Sequence, residues 1–438
     1  MRYLLGVDLV RVSATNWKPK WSWFDGNPTV EISVEMKNDI RVNYFGSWVS
    51  RGWKQLGVND WTNCVWTVFV ATTPNPLSPT YSATSMQVGS MPQKVNVGIV
   101  GTGFVQNTFH MPSYSEIKLA NVVAVAGIED TIEFAKRWNI GKVYHGEDAI
   151  EKMCRDPDVD VVDIGIPNNL HLPTIITAAE NDKHIICEKP LARNGAEAKK
   201  AVDVVEKHGV LNCYGENQVF IPQVTRAFEL ISRGAIGKVT SIRAREAHSG
   251  PHSKWFWDPN LSGGGVLSDM GCHTIEAVRH LFNKKKPTEV AAWTATLVHK
   301  IKGEDNSLVL LKFEDGSLGQ CENSWSAKGG FDVRLEVYGS NGSIFIDATR
   351  ETGIRLFTAA EGSSGYIVEK ADADKGWMFP TWREFETGGY MYELRHFLEC
   401  IANDQTPQES FRDGYIVNRL MDTAYEASQQ KKWVATSY

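Results

Sequence analysis

The 438-residue chain is long enough for two or three domains with sizeable cores. Its hydrophobic content of 42% is ordinary for a soluble globular protein, and a formal net charge of -6 without a long basic run argues against nucleic acid or an anionic membrane as a main partner. No apolar run approaches the roughly 18 residues of a membrane span, and the opening "MRYLLGVDLVRV" is broken by Asp8, too early for a signal-peptide core.

The cysteines (Cys64, Cys154, Cys187, Cys213, Cys272, Cys321 and Cys400) make no CxxC pair. They read as free thiols in a reducing compartment, so a cytoplasmic location is expected. Cys272 adjoins His273, but no other clustered ligand set supports a metal, and none is expected.

Taken in chain order, the first segment is "VEISVEMKNDIRVNYFGSWVSRG" (30–52), which alternates apolar and polar residues and turns at Asn38-Asp39. Laid without gaps over "SLVLLKFEDGSLGQCENSWSAKG" (307–329), it puts Ile32, Val34 and Met36 on Val309, Leu311 and Phe313. Identities fall at Ser47, Trp48 and Gly52. Two readings stay open: a partial second copy of a sheet-domain hairpin, or two unrelated amphipathic hairpins. The Pro/Ser/Thr-rich stretch from Thr72 to Gln93 is a linker. Residues 1–92 are therefore an N-terminal extension and linker.

Beyond it the pattern becomes regular. "KVNVGIV" (94–100), "NVVAVAG" (121–127), "VDVVDIGI" (159–166) and "KHIICE" (183–188) are apolar strands alternating with helical stretches. Such runs imply a parallel sheet covered on both faces, the doubly wound α/β arrangement of a Rossmann dinucleotide-binding domain over 93–215. From Glu216 the texture changes. "SLVLLKFEDGSLGQCENSW" and "VRLEVYGSNGSIFID" are hairpins with Asp-Gly and Asn-Gly turns, and helices near 388–402 and 411–429 close the chain. Residues 216–438 form an α+β domain with a large, mainly antiparallel sheet, expected to bind substrate and to mediate oligomerisation.

Four stretches carry chemistry. "VGIVGTGFVQN" places Gly101 and Gly103 between a strand and a helix. The first glycine permits the tight turn, the second lets backbone approach a pyrophosphate, and the helix start at Phe104 and Val105 supplies unpaired N–H groups. The third motif position is Gln106, and Gly127 stands where an acid normally grips the adenosine ribose. Glu129 or Asp130 is the substitute, unless either only caps a helix. No Arg or Lys adjoins Gly127, which favours NAD, with NADP as the alternative. "GIPNNLHLP" (165–173) puts Pro167, Asn168 and His171 at a strand's carboxyl end, as cofactor-side residues or as turn and cap residues. "ICEKPLARN" (186–194) ends a strand on Glu188 and Lys189, at the sheet edge where open α/β folds bind ligands. "SGGGVLSDMGCHTIE" (262–276) spaces Asp269 and His273 four apart, on one face of a helix, where the acid can orient the imidazole.

Together these stretches resemble the glucose–fructose oxidoreductase/inositol dehydrogenase (Gfo/Idh/MocA) family over about residues 94–435, in "GIVGTGF", "IPNNLH", "CEKPLA" and "GGGVLSDMGCH". The resemblance implies a nicotinamide-binding Rossmann domain and an open-faced sheet domain that often forms oligomers. It puts Lys189, Asp269 and His273 at the catalytic positions. Glu188 and Lys189 border the nicotinamide, and Pro167, Asn168 and His171 match the cofactor-side turn. Gln106, Gly127 and the N-terminal extension depart from the pattern.

On this reading Lys189 holds the reacting hydroxyl, His273 takes its proton, and Asp269 orients His273 or binds substrate hydroxyls. "REAHSGPHSKWFWDPN" (245–260) gathers His248, His252, Trp255 and Trp257, whose indole faces suit a sugar ring unless they fill the domain junction. "KGWMFPTWREFETGGYMYE" (375–393) is a second aromatic stretch able to close the pocket. The expected activity is an NAD(P)-dependent oxidoreductase acting on a sugar, glycoside or cyclitol hydroxyl, in a homo-oligomer (dimer or tetramer). The alternatives are a glycoside-cleaving enzyme with transient NAD-dependent oxidation and no net redox, and a non-catalytic dinucleotide-binding regulator.

Overall fold

The computed structural model describes residues 94–438 except 252, 352 and 360–374, and before them the backbone of four strands. Contacts divide the chain into two units, Met1–Val88 and Gly89–Tyr438.

The second unit begins with the strands β5 (Val95–Val100), β6 (Ala120–Gly127), β7 (Lys142–His145), β8 (Val161–Ile164), β9 (His184–Glu188) and β10 (Asn212–Gly215). They form a six-stranded parallel sheet in the order β10-β9-β8-β5-β6-β7. Two of these strands escape the apolar pattern. β7 is a short edge strand of alternating exposure, and β10, "NCYG", is too short and polar to register as a run. The order reverses between β5 and β8, the switch point where such sheets bind ligands.

Both faces of the sheet are covered. One packs on the helices Ala149–Cys154, His171–Glu180 and Gly195–His208, the other on Met111–Glu116 and Thr131–Trp138. Leu394, Phe397 and Leu398 of the helix Tyr390–Ala402 join the second face, although they come from the carboxyl-terminal part of the chain.

The members of the second sheet are β11 (Val239–Ala247), β12 (Glu289–Ala295), β13 (Asn306–Lys312), β14 (Leu318–Ser324), β15 (Asp332–Gly339), β16 (Gly342–Asp347) and β19 (Val434–Ala435). They run in the order β16-β15-β11-β14-β13-β12-β19, antiparallel except for the β11/β14 pair. A small pair, β17 (Leu356–Thr358) and β18 (Gly376–Met378), stands apart. Alternation along the strands sends Ile242, Val309, Leu311, Cys321, Leu335 and Val337 into a core with the helices Pro222–Ser232, Gly271–Leu281 and Phe411–Gln430. The other face is open. It carries the ion pairs Arg243–Glu336, Arg245–Glu322 and Arg245–Asp332, with Trp293, Leu318 and Phe345 exposed beside them.

The helix Phe411–Gln430 starts from a Ser410/Asp413 capping box. Phe411 sits in the core of the parallel sheet, while Val417, Leu420 and Ala424 sit in that of the second. Asn418 donates to the Ala192 carbonyl, and the Gly195 N–H donates to Asp422. Thr294 and Ser428 share a hydroxyl contact of 2.9 Å on the far side.

The first unit is an antiparallel meander of β1 (Leu9–Trp17), β2 (Thr29–Met36), β3 (Ile40–Ser47) and β4 (Phe69–Thr72). The Asn38-Asp39 turn lies outside the described residues. β2 and β3 pair Val30 with Gly46 and Met36 with Ile40. Shifted so that Val30 falls on Ser307, these pairs land on Ser307/Asn323 and Phe313/Ser317, which β13, β14 and their turn also form. β4 differs from the neighbour of β14, because it runs antiparallel to β3 whereas β11 runs parallel to β14.

Candidate active site

Lys189 follows β9 at the carboxyl edge of the parallel sheet, and the Lys189–Pro190 bond is cis. Its ammonium donates to the Asp269 carbonyl at 2.9 Å and to Asp269 Oδ1 at 3.1 Å. Both side chains are largely buried, at 16% and 5% exposure. Burial opposes the ammonium charge, but Asp269 outweighs it and holds Lys189 well above the ordinary lysine range. It stays a cation at neutral pH.

Asp269 is set by the three glycines before it. At Gly265 a Cβ would lie 2.0 Å from the Glu304 carbonyl oxygen, so only glycine fits. The Glu304 carboxylate accepts the N–H groups of Gly265 and Leu267, and thereby caps the short helix Val266–Asp269. Tyr425 donates to that carboxylate at 2.9 Å. The second oxygen of Asp269 accepts the indole N–H of fully buried Trp325 at 3.1 Å.

His273 departs from expectation. The helical path breaks at Met270 before the helix Gly271–Leu281 begins, so Asp269 and His273 do not share one helix. Asp269 bonds Lys189 and Trp325, and the partner of His273 is Glu216, whose Oε1 lies 2.6 Å from Nδ1. Burial disfavours the imidazolium, yet the Glu216 charge raises the His273 pKa above its ordinary value. With Nδ1–H donated to Glu216, a neutral ring carries its lone pair on Nε2. Glu216 is fully buried just beyond β10. Nothing in its local sequence marks it, apart from its position at the carboxyl end of a parallel strand.

Lys189, Asp269 and His273 line one cavity of about 330 Å³. Glu246, buried at the end of β11 and bonded to Gln218 at 2.7 Å, lines it too. Its aromatic walls are Phe109, Phe331, Trp377, Phe379 and Tyr390, with Phe109 stacked on Tyr390 at 4.3 Å. The stretch 375–393 thus contributes directly. The stretch 245–260 does not supply the expected wall. His248 is fully buried, accepts the Gly250 N–H and touches Phe331. Trp255 stacks on Phe256, and Trp257 packs edge-on to Trp325 at 5.4 Å. Trp257 thus backs Trp325, the residue that holds Asp269, and neither indole lines the cavity. His252 lies outside the described residues.

The cofactor positions meet at the switch point. Gly101 has φ +95°, and a Cβ there would strike the Gly165 carbonyl oxygen at 2.6 Å. A Cβ on Gly103 would have nothing within 4 Å, so its backbone stands open. The N–H groups of Phe104 and Val105 follow at the helix start. Gln106 breaks the glycine motif, but Gly165 compensates. A Cβ on Gly165 would lie 2.6 Å from Gln106 Nε2, so the small residue is supplied instead just beyond the end of the neighbouring strand β8. Pro167 leads into a turn in which Asn168 donates to the Ser262 carbonyl at 2.7 Å. His171 is buried between the carbonyls of Ile166 and Pro190, with its pKa lowered by burial. Both side chains are engaged within the protein, so this turn offers a ligand chiefly its backbone. Glu129 and Asp130 are exposed at the end of β6, and Arg137 is held by Asn107. The open Gly103 backbone and the glycine turn at Gly101 fit a dinucleotide pyrophosphate.

Glu216, Cys272 and His273 bring three potential metal-ligand atoms within 4.8 Å of one another. Each of the three already has a protein partner. Glu216 Oε1 accepts the His273 Nδ1–H, and the Cys272 thiol, held protonated by burial, donates to the Asp269 carbonyl.

Comparison with known proteins agrees with the fold. Residues 95–216 match the family model of the NAD-binding Rossmann fold of an oxidoreductase family, and residues 224–345 match the GFO/IDH/MocA C-terminal domain. The chain is 31% identical over 265 residues to scyllo-inositol 2-dehydrogenase (NAD(+)) of Bacillus subtilis, covering 60% of this chain and 72% of that protein. The chain belongs to the Gfo/Idh/MocA family. Levoglucosan dehydrogenase of Pseudarthrobacter phenanthrenivorans is 27% identical over 386 residues, 78% of this chain and 98% of that enzyme. Among solved structures, GenD2 from gentamicin A biosynthesis in complex with NAD superposes with a TM-score of 0.74 at 26% identity, over 80% of this chain and 99% of that one. This Gfo/Idh/MocA protein is an oxidoreductase with an NAD-binding Rossmann domain and a mixed, mostly antiparallel sheet domain. Among its described residues no helix is long and apolar enough to cross a membrane.

Proposed function

We propose that this protein oxidises a secondary hydroxyl of a sugar, glycoside or cyclitol, reversibly, with NAD. The observation that carries the reading is that one cavity presents a fixed ammonium, Lys189, and an imidazole, His273, whose free lone pair is set by Glu216. The relatives act on levoglucosan and scyllo-inositol by name, and the aromatic cavity wall suits the C–H faces of such rings. Gly101, Gly103, Phe104 and Val105, with the Pro167 turn and Glu188, would hold the dinucleotide. Bound there, NAD supplies the hydride acceptor.

The chain's own residues handle the proton and the charge. Lys189 donates to the reacting oxygen and stabilises the negative charge that builds on it. His273 Nε2 takes the hydroxyl proton, and Glu216 steadies the imidazolium that forms. Asp269 acts on Lys189, fixing its direction, rather than on His273. The open sheet face, with exposed Trp293 and Phe345, is the surface through which we expect the chain to form a homo-oligomer.

The test is absorbance at 340 nm with NAD or NADP against a panel of sugars, glycosides and inositols. Growth of the reduced-cofactor signal with one class supports the dehydrogenase. No signal, with cofactor retained on the purified protein and glycoside cleaved, moves the assignment to transient oxidation without net redox.

A further inference from the structure

Beneath Lys189 lies a second buried cluster that the proposed chemistry does not use. His110 ends a π-helical turn, Gln106–His110, and is 1% exposed. Its Nδ1 is 2.8 Å from Asp163 Oδ2 and its Nε2 is 3.0 Å from Glu188 Oε1. Asp163 is fully buried in the central strand β8. It also accepts from Tyr114 Oη at 2.7 Å and from Gln106 Nε2 at 3.2 Å. Glu188, 6% exposed, accepts the backbone N–H of Lys189 on its other oxygen at 3.1 Å.

The two contacts and their charges together favour the protonated ring. To donate to a carboxylate through each nitrogen, the imidazole carries both protons. His110 is an imidazolium between two carboxylates. Burial works against that charge, and Asp163 and Glu188 outweigh it, holding the pKa well above the ordinary histidine value. Glu393, on the facing helix Tyr390–Ala402, is 1% exposed and kept protonated by burial and by the Glu188 charge, so it adds no third anion. Tyr114 stays neutral for the same reason, burial first and then Asp163.

We infer that His110 is a positioning residue. Clamped between Asp163 and Glu188, it locks the Glu188 carboxylate that holds the Lys189 N–H, and so sets where the Lys189 ammonium stands. The inference rests on the proposed role of Lys189 for its catalytic meaning. Its structural content is independent of any substrate.

The test uses the full-length protein and competitive acylation of amines, with peptide mass spectrometry reading each lysine. In the wild type Lys189 labels slowly. In His110→Gln the ring's second charged bond is lost, and Lys189 labelling rises roughly tenfold or more. Lys284, ion-paired to Glu276, Glu409 and Asp413 in another part of the chain, is the internal control and keeps its rate. A general loosening of the fold accelerates both lysines and overturns the inference, as does an unchanged Lys189. If His110→Gln does not fold, nitrogen-15 histidine spectra of the wild type decide. A ring assigned to His110 that stays doubly protonated well above the ordinary histidine range, and reverts to ordinary titration in Glu188→Gln, supports the clamp. A ring that is neutral near pH 7 overturns it. Turnover separates the two readings. Lys189→Ala retaining activity removes the proposed role of Lys189, whereas an inactive Lys189→Ala beside a His110→Gln with wild-type kcat removes the role of His110 alone.

Discussion

Lys189 and Asp269 come from different domains and meet twice, through the carboxylate and through the backbone carbonyl of the same aspartate. The double contact fixes the ammonium in direction as well as in distance. A lysine that only balanced charge would need one of them. In the proposed mechanism Asp269 therefore guides Lys189, and the proton transfer falls to His273.

Replacing either end of this pair of functions should stop the chemistry. Lys189→Ala and His273→Ala are each expected to lower kcat by about 10²–10⁴. NAD binding, followed by fluorescence, should stay within about threefold, because the glycine turn is untouched. Near-normal turnover by either variant on a verified substrate refutes the role of the residue replaced.

Glu216→Gln should move the pH profile. The Glu216 charge raises the His273 pKa, against burial and against Lys189, and oxidation needs the unprotonated ring. Removing the anion lowers that pKa, so base becomes available at lower pH. The acidic limb of kcat/KM for oxidation should shift downward, while Gln can still accept the Nδ1–H. A limb that stays in place or moves upward contradicts the pairing.

Two glycines should fail in different ways. In Gly265→Ala the new methyl meets backbone of Glu304 at 2.0 Å, which cannot yield as a side chain would. A loss of at least about 1–3 kcal/mol in urea unfolding is expected, with loss of turnover through Asp269. Gly103→Ala meets nothing within 4 Å, so stability should hold. Affinity for NAD should instead fall roughly tenfold, as the methyl occupies the approach to the pyrophosphate. Equal effects of both on stability would be inconsistent with an open Gly103.

Light scattering should give a mass of at least twice that of one chain. Phe345→Asp, at an exposed position of the open sheet face, should lower it without altering the fold read by circular dichroism. A strictly monomeric wild type rejects the sheet-face contact.

What could be read from sequence was contiguous. Gly101-x-Gly103, Glu188-Lys189-Pro190 and the glycines before Asp269 each carry their meaning within a few residues, and apolar strands between helices announce the parallel sheet. Glu216 and Glu246 lacked such a signature, since only the fold brings their strand ends to the site, Glu246 to the cavity wall and Glu216 behind His273. The four-residue spacing of Asp269 and His273 put both at one cavity, but it did not reveal their partners, because Lys189 and Glu216 reach them from distant parts of the chain. Trp255 and Trp257 misled. An aromatic run packs on its own neighbours as readily as on a ligand, and in this fold Trp325 lies behind it.

The helix Phe411–Gln430 acts as a splint. Anchored in the cores of both sheets, it ties the loop after Lys189 to the scaffold that carries His273. Enzymes with a cleft between two lobes often open by swinging one lobe from the other, and a helix packed into both cores works against that movement. The expected route for ligand is then local rearrangement of the cavity rim around Lys328–Phe331 and Lys375–Thr381. Turnover would be gated by that rim, so viscosity and rim substitutions should govern release, while the reacting groups keep their spacing from one cycle to the next.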